Sequence, residues 1–268
     1  MVSRDELRRM AARRKLNLGF VEKEYVLDLV LRSISAHEEL RQTLVLKGGT
    51  ALHKFHVATR LSLDLDFTAS RPVTIDELRP AVEVVEIDAV VAEYKLFHDA
   101  LTITRLRYLG PLSYVNSIKL DISFREPVLL APVQMLAKSP YGDAYPVRVM
   151  HVAEIAAEKL RALSMRQAPR DVYDLWVIAG HKLAEASQVA QLVPRKLGVV
   201  GIDLAQASIA HHLAAVEPVW TTDLAGLMAE IPAYPEVRQV LDPWLQEMLD
   251  AVVSSSAGSS DSPSVSNR

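Results

Sequence analysis

The sequence predicts a mixed α/β front half followed by an all-helical back half, and three observations carry that prediction. Between Thr43 and Phe124, apolar residues recur at alternate positions in several short runs, which is the period of a half-buried strand. A glycine pair, Gly48-Gly49, divides the first of these runs from a short helical one. From Val152 onward the apolar residues fall at helical spacing almost throughout, in segments parted by Pro or Gly. A chain of 268 residues, 50% hydrophobic and 24% charged, is long enough for two domains with separate cores.

Ser3 followed by Glu6 is a capping-box pattern that opens a basic first helix ending near Asn17 and Gly19. Apolar residues at helical spacing (Val21, Tyr25, Leu29, Val30) predict a second helix over Phe20 to Leu40. The period then changes. Thr43 to Leu46 reads as a strand, Thr50 to Val57 as a helix, and Leu61 to Phe67 alternates as a strand with one face buried. Asp76 to Val91 reads as helix with a break or start near Pro80. Leu101 to Tyr108 and Tyr114 to Phe124 read as a hairpin turning at Gly110-Pro111, and Val147 to Met150 as a last short strand. The segments VAEIAAEKLRALSMR and DVYDLWVIAG begin the helical half, and the Ser-rich stretch from Ser254 is expected to be a disordered tail.

Composition removes several classes of function. With no cysteine there is no disulfide framework, thiol nucleophile or cysteine-bound zinc, so the chemistry falls to carboxylates, histidines, lysines and hydroxyls. No apolar run reaches the roughly 18 to 20 residues of a membrane helix, and the N-terminus lacks the apolar core of a signal peptide, so the cytoplasm is the expected location. The formal net charge of −3 carries no global signal for nucleic acid. Local clusters do exist, at Arg4 to Lys15 and at Lys159, Arg161, Arg166 and Arg170; each is read either as a solvated helix face or as a basic patch.

Asp64 and Asp66 are the most informative pair. On a strand they share one face, while Leu63, Leu65 and Phe67 fill the other. Neighbouring carboxylates repel unless a cation or proton lies between them. Oxygen donors without cysteine or a nearby histidine favour Mg²⁺ or Mn²⁺, and magnesium usually shares its sites with substrate phosphates. Gly48 and Gly49 would let the backbone approach a phosphate, and Thr50 would offer a hydroxyl and an amide at a helix start. The pattern is neither a Walker A loop nor a dinucleotide-binding fingerprint. Asp121, embedded in the apolar run IKLDISF, is the candidate third carboxylate of a two-metal site, with Lys119 as its alternative partner in a structural ion pair. Ser62, two residues before Asp64, is expected on the same face, to bind phosphate or to act as a regulatory position. His53 and His56 are read as helix surface or partial burial, the adjacent His211-His212 as a poor chelate, and the three tryptophans as packing.

The blocks KGGTALHKF, RLSLDLDF, IKLDISF, and AEKLRALSMR followed by PRDVYDLW, in that order over about Leu44 to Ile178, resemble the AbiEii-type nucleotidyltransferases. These are the toxin half of bacterial toxin–antitoxin systems, within the DNA polymerase β-like superfamily. The resemblance implies an α/β nucleotidyltransferase domain with a polymerase β-like mixed sheet over residues 1–150, an all-helical domain over 151–253 and the tail over 254–268. It implies a phosphate-holding motif at Gly48, Gly49 and Thr50 with Lys47 before it, and metal-binding carboxylates at Asp64, Asp66 and Asp121, the last also helping to deprotonate the attacking hydroxyl. Lys159 falls in the family's helical block, and Asp171 and Asp174 in its R-D-x-Y-D block. Lys159 would offer a point charge to a triphosphate. On one helix from Glu154 to Arg166, Arg166 would share its face and could hold triphosphate or RNA backbone. Asp171 also reads as a helix N-terminal cap. The activity implied is a magnesium-dependent transfer of NMP from NTP to an RNA 3′ end, with tRNA the acceptor, and with a cognate antitoxin as partner. Its active site is expected between the two domains. A small-molecule or protein hydroxyl as acceptor, or a non-catalytic RNA- or partner-binding module, remain alternatives.

Overall fold

A computed structural model describes residues 1–203 and 208–258. The chain divides into two compact units, residues 1–151 with Thr221–Ile231, and Val152–Trp220 with Pro232–Arg268. The first unit opens with helices α1 (Arg4–Arg14), α2 (Leu18–Ala36) and α3 (Glu38–Thr43). The capping box of α1 forms as its sequence predicts: Glu6 N–H donates to Ser3 Oγ, and the Glu6 carboxylate accepts from Ser3 N–H. The predicted second helix is broken at His37, whose extended backbone (φ −86°, ψ 107°) separates α2 from α3.

Strand β1 (Leu44–Lys47), helix α4 (Gly48–Phe55) and strand β2 (Asp64–Ala69) follow, so the strand-turn-helix-strand reading holds, although β2 starts three residues later than the alternation suggested. Helix α5 (Ile75–Val82) stops well short of the expected Val91. The β-branched Val82, Val84 and Val85 lead into a single 3-10 turn, Asp88 adopts a left-handed conformation (φ 45°), and strand β3 (Val90–Leu96) begins. Strands β4 (Ala100–Leu109) and β5 (Val115–Ser123) form the predicted antiparallel hairpin. Strands β6 (Val133–Ser139) and β7 (Gly142–Val149) form a second hairpin, of which the sequence reading had only the final residues.

The seven strands make one mixed sheet in the order β3-β4-β5-β2-β1-β7-β6. At its centre β2 runs parallel to β5 and antiparallel to β1. Leu65, Phe67, Ile118, Leu120 and Ile122 are buried, each no more than 3% exposed, and helix α2 contacts β2, β5 and β7. At about 25 cal/mol per Å² of apolar surface removed from water, a fully buried leucine or phenylalanine contributes about 1.5–3 kcal/mol. This buried face therefore anchors the central strands, and the polar face of the same strands can carry charge.

Every described element of the second unit is helical. Helices α6 (Val152–Leu163) and α7 (Pro169–Gly180) pack together, and α7 packs on the last helix, which runs from Tyr234 to Gly258. That helix takes in the first five residues of the expected tail; residues 259–268 lie outside the described residues. Trp220 stacks beside Tyr173 and Tyr234, and its indole N–H donates to Pro232 O. Among the described residues no helix is long and apolar enough to cross a membrane.

Candidate active site

The register of the central strands brings the expected carboxylates together. Asp66 on β2 lies opposite Lys47 on β1 and opposite Asp121 on β5, and Asp121 lies opposite Thr102 on β4. Two residue pairs away, Asp64 lies opposite Lys119. Side chains alternate faces along a strand, so all of these share the face turned away from Leu65 and Phe67. Asp64, Asp66 and Asp121 are each half-buried.

Gly48, at the junction of β1 and α4, has φ +71°. A Cβ added there would stand 2.4 Å from Asp66 Oδ2, so the position needs glycine both for its backbone and for the carboxylate packed against it. Gly49 faces other neighbours: a Cβ there would meet Arg60 Nη2 at 2.7 Å and Ser62 Oγ at 2.9 Å. The glycine pair thus lies between Asp66 on one side and a buried arginine and a serine on the other. Ser62 precedes β2 rather than lying within it.

Two residues expected to face phosphate have partners in the protein. Lys47 is buried in an ion pair with Glu126. The Thr50 hydroxyl donates to Asp64 O at 2.6 Å, tying the start of α4 to the strand that carries the aspartates. Asp121 accepts from Thr102 Oγ1 at 2.7 Å and pairs with Lys119 Nζ at 2.5 Å. Burial disfavours the Lys119 ammonium, but the hydrogen bond and charge of Asp121, with Asp64 and Asp66 behind it, raise its pKa above the usual lysine value. The ion pair read as the alternative for Asp121 therefore exists, and it stands beside the other two carboxylates. With Asp121 turned to Thr102 and Lys119, no three His, Cys, Asp or Glu among the described residues converge on one point that could hold a metal ion as the side chains stand. The donor set itself suits a hard divalent cation, since three carboxylates share one face and a cationic group already lies against them.

A cavity of about 460 Å³ adjoins the glycine pair within the first unit. Thr50 and Ser62 line it on that side, and five cationic side chains, including Arg13, Lys54, Arg60 and Lys138, line it against the two carboxylates Glu24 and Asp28. The basic N-terminal helix thus contributes to a positively charged wall rather than only to solvated surface. His53 is buried, its Nδ1 beside Val57 O and Thr59 Oγ1, and burial lowers the pKa of His56, reinforced by the charge of His151.

In the second unit, Lys159 on α6 reaches Asp171 Oδ1 at 2.9 Å and Asp174 Oδ2 at 2.7 Å, both on α7, and Arg166 Nε reaches Asp171 Oδ2 at 2.8 Å. Asp171 and Asp174 are almost completely buried. Burial opposes ionisation of Asp171, yet the charges and hydrogen bonds of Lys159 and Arg166 prevail and hold its pKa below the usual carboxylate range. Asp171 is therefore not a cap, because both its oxygens face those two cations and the N-cap position belongs to Ala168. Arg166 is not on the helix of Lys159 either, as α6 ends at Leu163; the two meet through Asp171 and not through a shared helix face. Sequence reasoning missed Glu126, Thr102 and Arg60. Glu126 and Arg60 lie in loops outside any periodic pattern, and Thr102 shows its role only through strand pairing.

The profile of the family described as "Nucleotidyl transferase AbiEii toxin, Type IV TA system" matches residues 29–243. Among solved structures, the chain is similar to MenT4, a nucleotidyltransferase toxin from Mycobacterium tuberculosis H37Rv, with a TM-score of 0.65 and 21% identity over 98% of this chain and 91% of that one. It is also similar to JHP933 from Helicobacter pylori, with a TM-score of 0.58 and 19% identity over 91% of this chain and 98% of that one. No functionally curated protein matches the sequence significantly.

Proposed function

The chain belongs to the AbiEii nucleotidyltransferase toxin family, and from that premise we propose that it transfers a nucleoside monophosphate from an NTP to the 3′ end of an RNA, with tRNA the acceptor. The observation that carries this reading is the placement of Asp64, Asp66 and Asp121 on one face of adjacent parallel strands, with Gly48 packed against Asp66.

Asp64 and Asp66 would hold Mg²⁺ or Mn²⁺, with Asp121 completing the donor set once it turns from Lys119. The ion would supply charge neutralisation at the reacting phosphates. Asp121 assists removal of the proton from the acceptor 3′-hydroxyl, which attacks the α-phosphorus while pyrophosphate departs. The cationic wall of the adjoining cavity favours the anionic substrates, NTP and RNA. Lys159, Asp171 and Arg166 are proposed members of the machinery on the resemblance of their sequence blocks. Because catalysis of this kind is mostly positioning and electrostatics, the buried pairs Lys47–Glu126 and Lys159–Asp171 act as supports for the groups around them. In a cell, modification of the tRNA acceptor end would block translation and growth, and a cognate antitoxin would restrain the protein.

The test is incubation of the protein with total bacterial RNA, a divalent metal and each α-labelled NTP in turn, with Asp64→Ala as control. A labelled tRNA-sized band that depends on metal and is lost in the control is the expected result. Absence of label on RNA from protein that binds NTP would redirect the reading to a small-molecule or protein hydroxyl, and absence of NTP binding to a non-catalytic module.

A further inference from the structure

Four charged side chains form a two-by-two patch on the central strands: Asp64 and Asp66 on β2, Lys119 and Asp121 on β5. The parallel register sets Asp64 beside Lys119 and Asp66 beside Asp121. Neighbouring strands lie about 4.8 Å apart and alternate residues about 7 Å apart, so each corner is within reach of the others. Three carboxylates and one ammonium make a patch that is still net negative, with Lys119 bound to its neighbour on the same strand, Asp121, at 2.5 Å. The lysines that pair with buried carboxylates among the described residues are more enclosed: the side chains of Lys47 and Lys159 are each 11% exposed, that of Lys54 17% and that of Lys196 0%. The Lys119 side chain is 46% exposed. Its ammonium is held by charge and one hydrogen bond, with open solvent on one side, and a four-carbon stem lets it leave without disturbing the strand.

We propose that Lys119 is the resident counter-ion of the carboxylate site and yields that place to the incoming divalent cation. The inference rests on the reading that these carboxylates take metal. It assigns Lys119 a positioning role: its ammonium offsets carboxylate repulsion in the metal-free protein, and its release from Asp121 frees the third oxygen donor. Metal binding then requires the displacement of a positive charge, which lowers affinity, and an apolar residue at 119 removes that competition.

The test is titration of the full chain with Mn²⁺ and no nucleotide, reading free Mn²⁺ by electron paramagnetic resonance, for the wild type, Lys119→Met, Lys119→Arg and Asp66→Asn. Lys119→Met should bind Mn²⁺ about fivefold more tightly, the competition of one half-exposed pair, and Lys119→Arg should stay near the wild type. Melting temperature, with chelator and with Mn²⁺, is read in parallel. Lys119→Met should melt lower than the wild type in chelator and gain more degrees from Mn²⁺. If Lys119→Met binds Mn²⁺ no more tightly while Asp66→Asn weakens binding, the counter-ion role is wrong and the metal site stands. If Asp66→Asn leaves Mn²⁺ binding unchanged, the metal reading fails, and this inference with it.

Discussion

Replacing Gly48 with alanine separates a backbone role from a site role more sharply than any change of charge. The added methyl meets two obstacles: a backbone at φ +71°, and Asp66 Oδ2 at 2.4 Å from the new Cβ. Holding an L-residue in the left-handed region costs about 1–2 kcal/mol. For a chain of this size that corresponds to a fall of about 2–8 °C in melting temperature. The contact with Asp66 cannot be relieved by the glycine side, so the carboxylate must swing away. A displacement of about 1 Å in a positioned group can cost about a hundredfold in rate. Gly49→Ala is the matched control, because no positive φ applies and the new Cβ meets the ends of Arg60 and Ser62 instead. The assay is transfer of α-labelled nucleotide to RNA, with thermal melting in chelator as a check of the fold. Gly48→Ala should lose about two orders of magnitude in transfer while remaining folded, and Gly49→Ala should lose less. Turnover within a few-fold of wild type in a Gly48→Ala protein would refute the claim that Asp66, as placed by Gly48, serves the reaction.

Other outcomes follow from the ion pairs and their titration. Lys159→Met leaves Asp171 and Asp174 buried without their shared cation, and denaturant unfolding should show a loss of about 3–5 kcal/mol, as expected when one member of a buried pair is removed. Because Asp171 has a depressed pKa in the folded state, its contribution is complete above the unfolded carboxylate pKa and is lost as pH falls through the folded value. Melting curves of Asp171→Asn should accordingly decline less steeply than wild type below about pH 4. His56 also has a lowered pKa, so the unfolded chain takes up its proton first as pH falls through about 6.5 and the folded state loses stability there. A His56→Gln protein should show a flatter stability profile between about pH 5 and 7 in the same melts.

The parts of the fold that were legible in the sequence are those where burial imposes a period. β2 and β5 sit at the middle of the sheet with one face buried, so Leu65, Phe67, Leu120 and Ile122 alternate cleanly with the charged residues between them. That alternation was enough to pair Asp64 with Asp66 and to add Asp121. The elements missed are at the margins: β3 and β6 are the two edge strands, and most of their residues are at least partly exposed, so no apolar stripe marked them. Residues 76–91 consequently read as helix with a break or start near Pro80, although the chain turns at Asp88 into an edge strand. Long-range pairing was equally invisible. Nothing near Lys47 in sequence announces Glu126, and nothing in a helix-start position shows that Asp171 binds Lys159 and Arg166 instead of capping.

The pairing of β2 with β5 also limits how this site can change. Because side chains alternate with a period of two, deleting one residue within either strand would not shift the carboxylates by a few ångströms; it would exchange Asp66 with Phe67, or Asp121 with Ile122, across the sheet, burying charge and exposing the core together. The loop between Gly110 and Tyr114 is free of that alternation and can change length while the strands keep their register, except at Leu112, which is buried and donates its N–H to Glu22 Oε1 at 2.7 Å. Variation in length among functional forms of this protein should therefore collect at the hairpin ends, whereas the two central strands admit substitution but no insertion.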